Sequence, residues 1–106
     1  MNRKGQTGLT RREILGALKR NQDVLRKYRV KRIGLFGSYA TGRPMKRSDI
    51  DFLVEFEEPT FDNFMGLHDS LARLFRRKID LLTPAGVDSI RIKRVAENIR
   101  KSAVYA

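Results

Sequence analysis

Three aspartates in two short apolar segments are the residues of this sequence best suited to chemistry. Asp49 and Asp51 are separated by a single residue, and Asp80 lies in the similar segment of residues 78–82. If the first segment is a strand, Asp49 and Asp51 point to the same face, about 6.5 Å apart along the chain. Carboxylates held close together repel one another unless a cation lies between them. The spacing therefore predicts a magnesium site, which Asp80 completes if the two strands are neighbours.

A glycine–serine pair upstream of these aspartates could bind phosphate. Gly37 and Ser38 end the apolar run of residues 33–36. A strand that turns at such a pair into a helix presents backbone N–H groups to an anion, and glycine lets the backbone approach it closely. Three carboxylates can hold two Mg²⁺ ions about 4 Å apart, which stabilises the attacking and leaving oxygens of a phosphoryl displacement. Together, the two features predict triphosphate–magnesium chemistry.

Each of these features also has a simpler interpretation. A Gly-Ser pair after a strand is commonly a plain turn, and Asp-x-Asp is common on solvated faces of sheets. Only the combination favours a catalytic site. Two competing phosphate motifs are not supported. The spacing of Gly37 and Gly42 fits a P-loop, but Arg43 and Pro44 follow where Lys and Ser/Thr are required, and no G-x-G-x-x-G is present.

The elements that must position these residues follow from hydrophobic periodicity. Thr10 and Glu13 form a capping box before an apolar stripe, which predicts one amphipathic helix to about Lys27. The remaining elements are a strand at 33–36, a short helix capped by Ser38 and ending near Gly42, a strand at 49–56, a helix at 61–76, a strand at 78–82, a turn at 83–86 and a last helix capped by Asp88 or Ser89. This order predicts an α/β (α+β) domain at residues 10–106 after a flexible basic N-terminus at 1–9.

Composition limits the possible partners and compartments. The chain has no cysteine, which fits a reducing, cytoplasmic setting, and no apolar run approaches the roughly 20 residues of a membrane span. Its net charge is +11, and residues 1–32 contain 11 of the 23 Lys and Arg but only 2 of the 12 Asp and Glu. Such a block attracts polyanions, nucleic acid included, although a solvated helix face explains it equally well. A domain this small is also stabilised by self-association or by a partner.

The spacing Gly37-Ser38, ten residues, then Asp49-Ile50-Asp51 is similar to the signature of the DNA polymerase β nucleotidyltransferase superfamily. Within it, the chain resembles the minimal nucleotidyltransferase (MNT) family over roughly residues 10–106. The resemblance implies a small mixed β-sheet with helices packed on it, and binding of ATP with two Mg²⁺ ions. It implies catalytic and metal-binding roles for Asp49, Asp51 and Asp80, and nucleotide-binding roles for Gly37, Ser38, Arg47 and Ser48.

The same resemblance implies a partner. MNT proteins are commonly paired with HEPN-domain ribonuclease toxins, and act as antitoxins by adenylylating a toxin tyrosine. One departure is Thr41, where many family members carry Arg; Arg43 or Arg47 is a candidate replacement. Two alternatives stay open: an antitoxin that occludes its partner without catalysis, and a transferase that modifies a small molecule or nucleic acid. The chain's size argues against the second, because such an enzyme needs an acceptor-binding domain of its own.

Overall fold

The computed structural model describes residues 9–42, 49–88 and 93–106. These residues form a mixed α/β structure, as predicted. The elements in chain order are α1 (Arg11–Arg20), α2 (Gln22–Lys27), β1 (Val30–Phe36), α3 (Gly37–Thr41), β2 (Ile50–Phe56), α4 (Phe61–Phe75), β3 (Ile79–Leu82), α5 (Pro84–Asp88), α6 (Lys93–Ser102) and β4 (Val104–Tyr105).

The four strands form one mixed sheet in the order β3-β2-β1-β4. β1 runs antiparallel to both β2 and β4, whereas β2 and β3 are parallel and are connected through α4. Parallel neighbours need a crossover connection of this kind. The predicted small mixed sheet is therefore confirmed, and its parallel pair is the two strands that carry Asp51 and Asp80.

Both faces of the sheet are covered, which explains the alternation along β2. On one face, Phe52 and Val54 join a large core with apolar residues of α1, α2 and α4. On the other face, Leu53 packs with Phe36, Val87 of α5 and Ala96 of α6. Asp51 shares this second face with Leu53 because side chains two apart on a strand point the same way. The carboxylate thus lies at the edge of a packed apolar layer.

The N-terminal helix is the clearest difference from the sequence-based prediction. Its capping box is present: the Thr10 side chain accepts from the Glu13 N–H, and the Glu13 carboxylate accepts from the Thr10 N–H. The helix does not continue to Lys27, however, because it is interrupted at Asn21. The Asn21 side chain donates to the Ala17 carbonyl at 2.7 Å, competing with the backbone for a helical acceptor.

Smaller differences occur elsewhere. The predicted turn at 83–86 is helix α5, because the Thr83 hydroxyl accepts from the Gly86 N–H and Pro84 occupies the favourable first helical position. Leu74 of α4 is 40% exposed, so the buried face of this helix is formed by Leu67, Leu71 and Phe75. Asp88 ends α5 and bonds to Arg100 rather than capping the last helix, and Ser89, the other predicted cap, lies outside the described residues. None of the described helices is long and apolar enough to cross a membrane.

Candidate active site

Gly37 is the point at which β1 turns into α3, and its backbone can be adopted freely only by glycine. Its φ is 74°, in the left-handed region. A Cβ at this position would lie 2.2 Å from Oδ2 of Asp51, far inside contact distance. The site therefore needs glycine for two separate reasons, the backbone conformation and the space taken by a carboxylate.

Ser38 lies inside α3 and does not cap it, which corrects the sequence-based prediction. The N-cap position is Phe36, with extended backbone and no side-chain cap, because Gly37 has already turned the chain into the helix. Gly42 ends α3 in the left-handed conformation, as expected. Within the described part of the chain, no hydrogen bond involves the Ser38 hydroxyl.

Asp51 and Asp80 face each other across the parallel pair of strands. The register pairs Asp51 with Asp80 on one side and with Phe36 on the other. Partial burial, a hydrogen bond with Asp80, and the negative charges of Asp80 and Asp49 raise the pKa of Asp51 to about 6. A bound cation would remove this repulsion, because it stabilises both carboxylates in their charged forms.

These two carboxylates open onto a cavity of about 360 Å³. Its walls are Phe36, Asp51, Asp80, Leu81 and Leu82. A concave space with an apolar wall and convergent charged groups is the usual form of a small-molecule site. Two oxygen-bearing side chains aimed into such a space fit a hard cation that keeps some positions for phosphate or water.

Asp49, the third predicted metal ligand, does not line the cavity that Asp51 and Asp80 share. It precedes β2 by one residue, and its charge acts on Asp51. Within residues 9–42, 49–88 and 93–106, no three acidic or histidine side chains are grouped closely enough to hold a metal ion. The structure thus brings two of the three aspartates together, and the third ligand stays a prediction. Arg47 and Ser48 lie outside the described residues.

Two contacts that support the site were not predicted from the sequence. Arg11, the first residue of α1, donates from Nη1 to the Ala40 carbonyl at 2.8 Å and so fixes the end of α3. The Thr41 hydroxyl donates to the Ser38 carbonyl at 3.0 Å within the same helix. No sequence pattern reveals the first contact, because the two residues are 29 positions apart. Arg11 is a positioning residue for the Gly37–Thr41 segment.

Two other polar residues near the strands of the site have structural roles. His68 approaches the Ile79 carbonyl through Nε2 at 3.1 Å, which ties α4 to the strand that carries Asp80. Glu55, a possible extra carboxylate, instead forms ion pairs with Arg32 at 3.3 Å and Lys31 at 3.8 Å. Neither residue lines the cavity.

Sequence comparison places this geometry in context. A family model described as nucleotidyltransferase domain matches residues 12–106. A candidate protein adenylyltransferase of Methanocaldococcus jannaschii is 38% identical over 89 residues, which cover 80% of this chain and 89% of that protein. The protein adenylyltransferase MntA of Thermococcus cleftensis is 34% identical over 99 residues, covering 92% and 96%.

Solved structures share the fold. A candidate minimal nucleotidyltransferase superposes with a TM-score of 0.73 at 23% identity, covering 93% of this chain and 98% of that one. A toxin–antitoxin structure with AMP-PNP gives 0.61 at 22% identity, covering 82% and 69%. The complex of a tri-AMPylated Shewanella oneidensis HEPN toxin with an MNT antitoxin gives 0.54 at 20% identity, covering 82% and 66%. At these identities the likeness concerns the fold alone.

Proposed function

This chain belongs to the nucleotidyltransferase domain family, and from that premise we propose that it transfers AMP from ATP to a hydroxyl group of a partner protein. The observation that carries the proposal is the pairing of Asp51 with Asp80 at one cavity, together with the close approach of the Gly37 turn to the Asp51 carboxylate. Metal-binding carboxylates and a phosphate-binding turn are the two components that transfer from a nucleoside triphosphate requires. Residues 10–106 form the catalytic domain.

The metal would be held by Asp51 and Asp80, with Asp49 as the third ligand. When bound, Mg²⁺ supplies charge neutralisation for the phosphate oxygens and for the leaving pyrophosphate. Gly37 and Ser38 hold the β- and γ-phosphates through backbone N–H groups and the Ser38 hydroxyl. Arg47 and Ser48, which lie outside the described residues, are proposed to bind the nucleotide as well. Arg11 keeps α3 in position through the Ala40 carbonyl.

Transfer is an in-line displacement at the α-phosphorus. The acceptor oxygen forms a bond to this phosphorus while the bond to the oxygen bridging the α- and β-phosphates breaks, so pyrophosphate leaves. Asp80 is the more exposed member of the carboxylate pair, and it accepts the proton of the acceptor hydroxyl as general base. The apolar walls of Leu81 and Leu82 reduce water access and so disfavour hydrolysis of ATP.

The proposed acceptor is a tyrosine of a HEPN-domain ribonuclease toxin in the cytoplasm, which makes this chain an antitoxin. Two similarities support this assignment. The relative from Thermococcus cleftensis is named a protein adenylyltransferase. A protein of the same fold is the antitoxin bound to an AMPylated HEPN toxin.

The direct test is incubation of the purified chain with ATP, Mg²⁺ and a HEPN-domain protein from the same genome. Intact-mass analysis should show one or more added AMP groups on the toxin, and toxin ribonuclease activity should fall in parallel. Asp51→Asn and Asp80→Asn should remove the modification, whereas Asp62→Asn, an exposed change at the start of α4, should not. An unmodified toxin with the wild-type chain would refute the proposal.

A second candidate is neutralisation by occlusion, and Thr41 is the observation that favours it. Threonine is neutral, and its hydroxyl is engaged within α3, so this position supplies no positive charge to a bound triphosphate and catalysis is slower without it. An Asp51→Asn variant that binds the toxin and protects cells fully, while transferring no AMP, would establish occlusion as the mechanism.

A further inference from the structure

Three consecutive cations connect α4 to the catalytic strand β3. They are Arg76, Arg77 and Lys78, which form the α4–β3 loop between Phe75 and Ile79. None of them forms an ion pair with an acidic residue in the described part of the chain; the Lys and Arg residues that do so there are Lys31, Arg32 and Arg100. Arg76 and Lys78 are exposed to solvent. The loop thus presents positive charge that the chain itself does not neutralise.

The register of the sheet places this loop at the carboxylate end of the active site. Ile50 pairs with Ile79, and the Ile50 N–H donates to the Lys78 carbonyl at 3.1 Å. Lys78 therefore lies beside the backbone of Asp49, which immediately precedes Ile50. Asp80 follows Lys78 by two residues and faces Asp51. The cations are consequently at the rim of the site, on its β3 side.

The order of the strands indicates where the leaving pyrophosphate and the acceptor lie relative to the carboxylates. In the order β3-β2-β1, the Gly37 turn follows β1, Asp51 lies on β2, and Asp80 lies on β3. An in-line displacement requires the attacking oxygen and the leaving pyrophosphate to be on opposite sides of the phosphorus. With pyrophosphate at the Gly37 turn, the acceptor must approach from the β3 side. The α4–β3 loop is on the side that the acceptor crosses.

We propose that the α4–β3 loop is a docking surface for an acidic segment of the protein acceptor, next to the hydroxyl that is modified. This inference rests on the proposed transfer to a protein and extends it to how the acceptor is recognised. Unpaired cations at the rim of an interface steer an acidic partner and accelerate its association. The triphosphate is a less suitable ligand for the loop because its phosphates lie on the β1 side.

Arg76 allows the charge to be removed without disturbing the fold. It ends α4 with a φ of 53°, a left-handed conformation in which glycine is the favoured residue. Arg76→Gly should therefore keep or raise the thermal midpoint while it removes one cation. Lys78→Gln is a second variant, which removes a charge from an exposed side chain and leaves the backbone type unchanged.

Arg29 provides a matched control. It is the other non-glycine residue with positive φ in the described chain, at 60°, and it likewise follows a helix and precedes a strand. Arg29 lies at the opposite end of the sheet. The next residue, Val30, pairs with Phe56, and the Arg29 carbonyl accepts from the Glu57 N–H at 2.8 Å. Arg29→Gly therefore makes the same change in charge and backbone far from the carboxylates.

The experiment measures transfer to the same HEPN-domain protein, varying the concentrations of toxin and ATP separately at several salt concentrations. Binding is measured in parallel by calorimetry without ATP. Arg76→Gly and Lys78→Gln should each raise the KM for the toxin about fivefold at low salt and flatten its salt dependence. The KM for ATP should stay within twofold of wild type. Arg29→Gly should change neither KM.

The other outcomes each overturn the inference. A raised KM for ATP with an unchanged KM for the toxin would assign the loop to the nucleotide. Equal effects of Arg76→Gly and Arg29→Gly would indicate a general effect of net charge. Unchanged kinetics in all three variants would leave the loop a solvated helix end. Should the wild-type chain neither bind nor modify the toxin, the proposed function itself would fail, and the inference with it.

Discussion

Gly37 and Asp51 are so close that a methyl group at residue 37 would clash with a carboxylate oxygen of Asp51. The distance from a Cβ at residue 37 to Oδ2 of Asp51 would be only 2.2 Å. The Gly37 turn and the Asp51 carboxylate are therefore packed against each other, and we treat them as one structural unit. Substitutions in this unit and in the residues around it should separate effects on the fold from effects on catalysis.

Replacing Gly37 by alanine should impair folding and catalysis together. The left-handed backbone at φ 74° costs an L-residue about 1–2 kcal/mol, and the new methyl group displaces Asp51. Because a shift of about 1 Å in a catalytic group can lower a rate about a hundredfold, AMP transfer should fall by that order. Thermal denaturation and a transfer assay with labelled ATP measure the two effects.

Gly42→Ala is the matched control for this change. Gly42 has a φ of 79°, almost the same as Gly37, but a Cβ there would meet nothing within 4 Å. The two variants should lose similar backbone stability, while only Gly37→Ala loses transfer at temperatures where both are folded. Equal transfer activity in the two variants would show that Gly37 has no role in the active site.

Removing the Ser38 hydroxyl should slow transfer without affecting the fold. No described residue uses this hydroxyl, so Ser38→Ala costs the free protein little. A hydrogen bond to a charged phosphate contributes about 1.5–3 kcal/mol, which predicts a loss of about tenfold or more in kcat/KM for ATP. Thr41→Ala, which removes the bond to the Ser38 carbonyl within α3, should lower stability slightly and leave this parameter near wild type. If kcat/KM for ATP fell in Thr41→Ala but not in Ser38→Ala, Gly37-Ser38 would be a plain turn.

Asp51→Asn should stabilise the metal-free protein in a pH-dependent manner. Burial and neighbouring carboxylates raise the pKa of Asp51 from 3.8 to about 6. The folded chain therefore holds this proton more tightly than the unfolded chain, and wild type loses stability as the pH rises from about 4 to about 6. Asn does not titrate, so the variant escapes this loss. Since the carboxyl is partly solvated, the gain should be about 1 kcal/mol at most.

Thermal midpoints in chelator at pH 4 and pH 7.5 measure this difference. Asp51→Asn should gain relative to wild type only at the higher pH, while Glu57→Gln, an exposed change outside the site, should show no such dependence. Adding Mg²⁺ should raise the midpoint of wild type but not that of Asp51→Asn. A variant that is less stable at both pH values would mark Asp51 as a structural residue.

Binding of ATP should depend on a divalent cation. The paired carboxylates repel a triphosphate in the absence of metal and attract the metal complex in its presence. Calorimetry should therefore detect tight binding only with Mg²⁺ or Mn²⁺, and Asp80→Asn should weaken it. Asp62→Asn on α4 serves as the exposed control. An ATP affinity that is the same in excess chelator would exclude the metal-dependent site.

Local sequence patterns were enough to predict nucleotidyl transfer and most of the helices and strands. The alternation around Asp51 identifies a strand because side chains two apart share a face. The capping box at Thr10 is also local. Such a pattern can be predicted from the sequence because its partners are only three or four residues apart. The same holds for the left-handed Gly42 that ends α3.

Which of these residues lie close together depends on the packing of the whole domain. Only strand order and parallel register bring Asp80 to Asp51, although 28 residues lie between them in the sequence. The contact of Arg11 with Ala40 and the closeness of Gly37 to Asp51 are equally non-local. The helix break at Asn21 was not predicted, because the apolar residues keep a helical periodicity across it. The break comes instead from the Asn21 side chain, which competes with the backbone for the Ala17 carbonyl. Pairing between distant segments depends on how layers pack, which spacing along the chain does not encode.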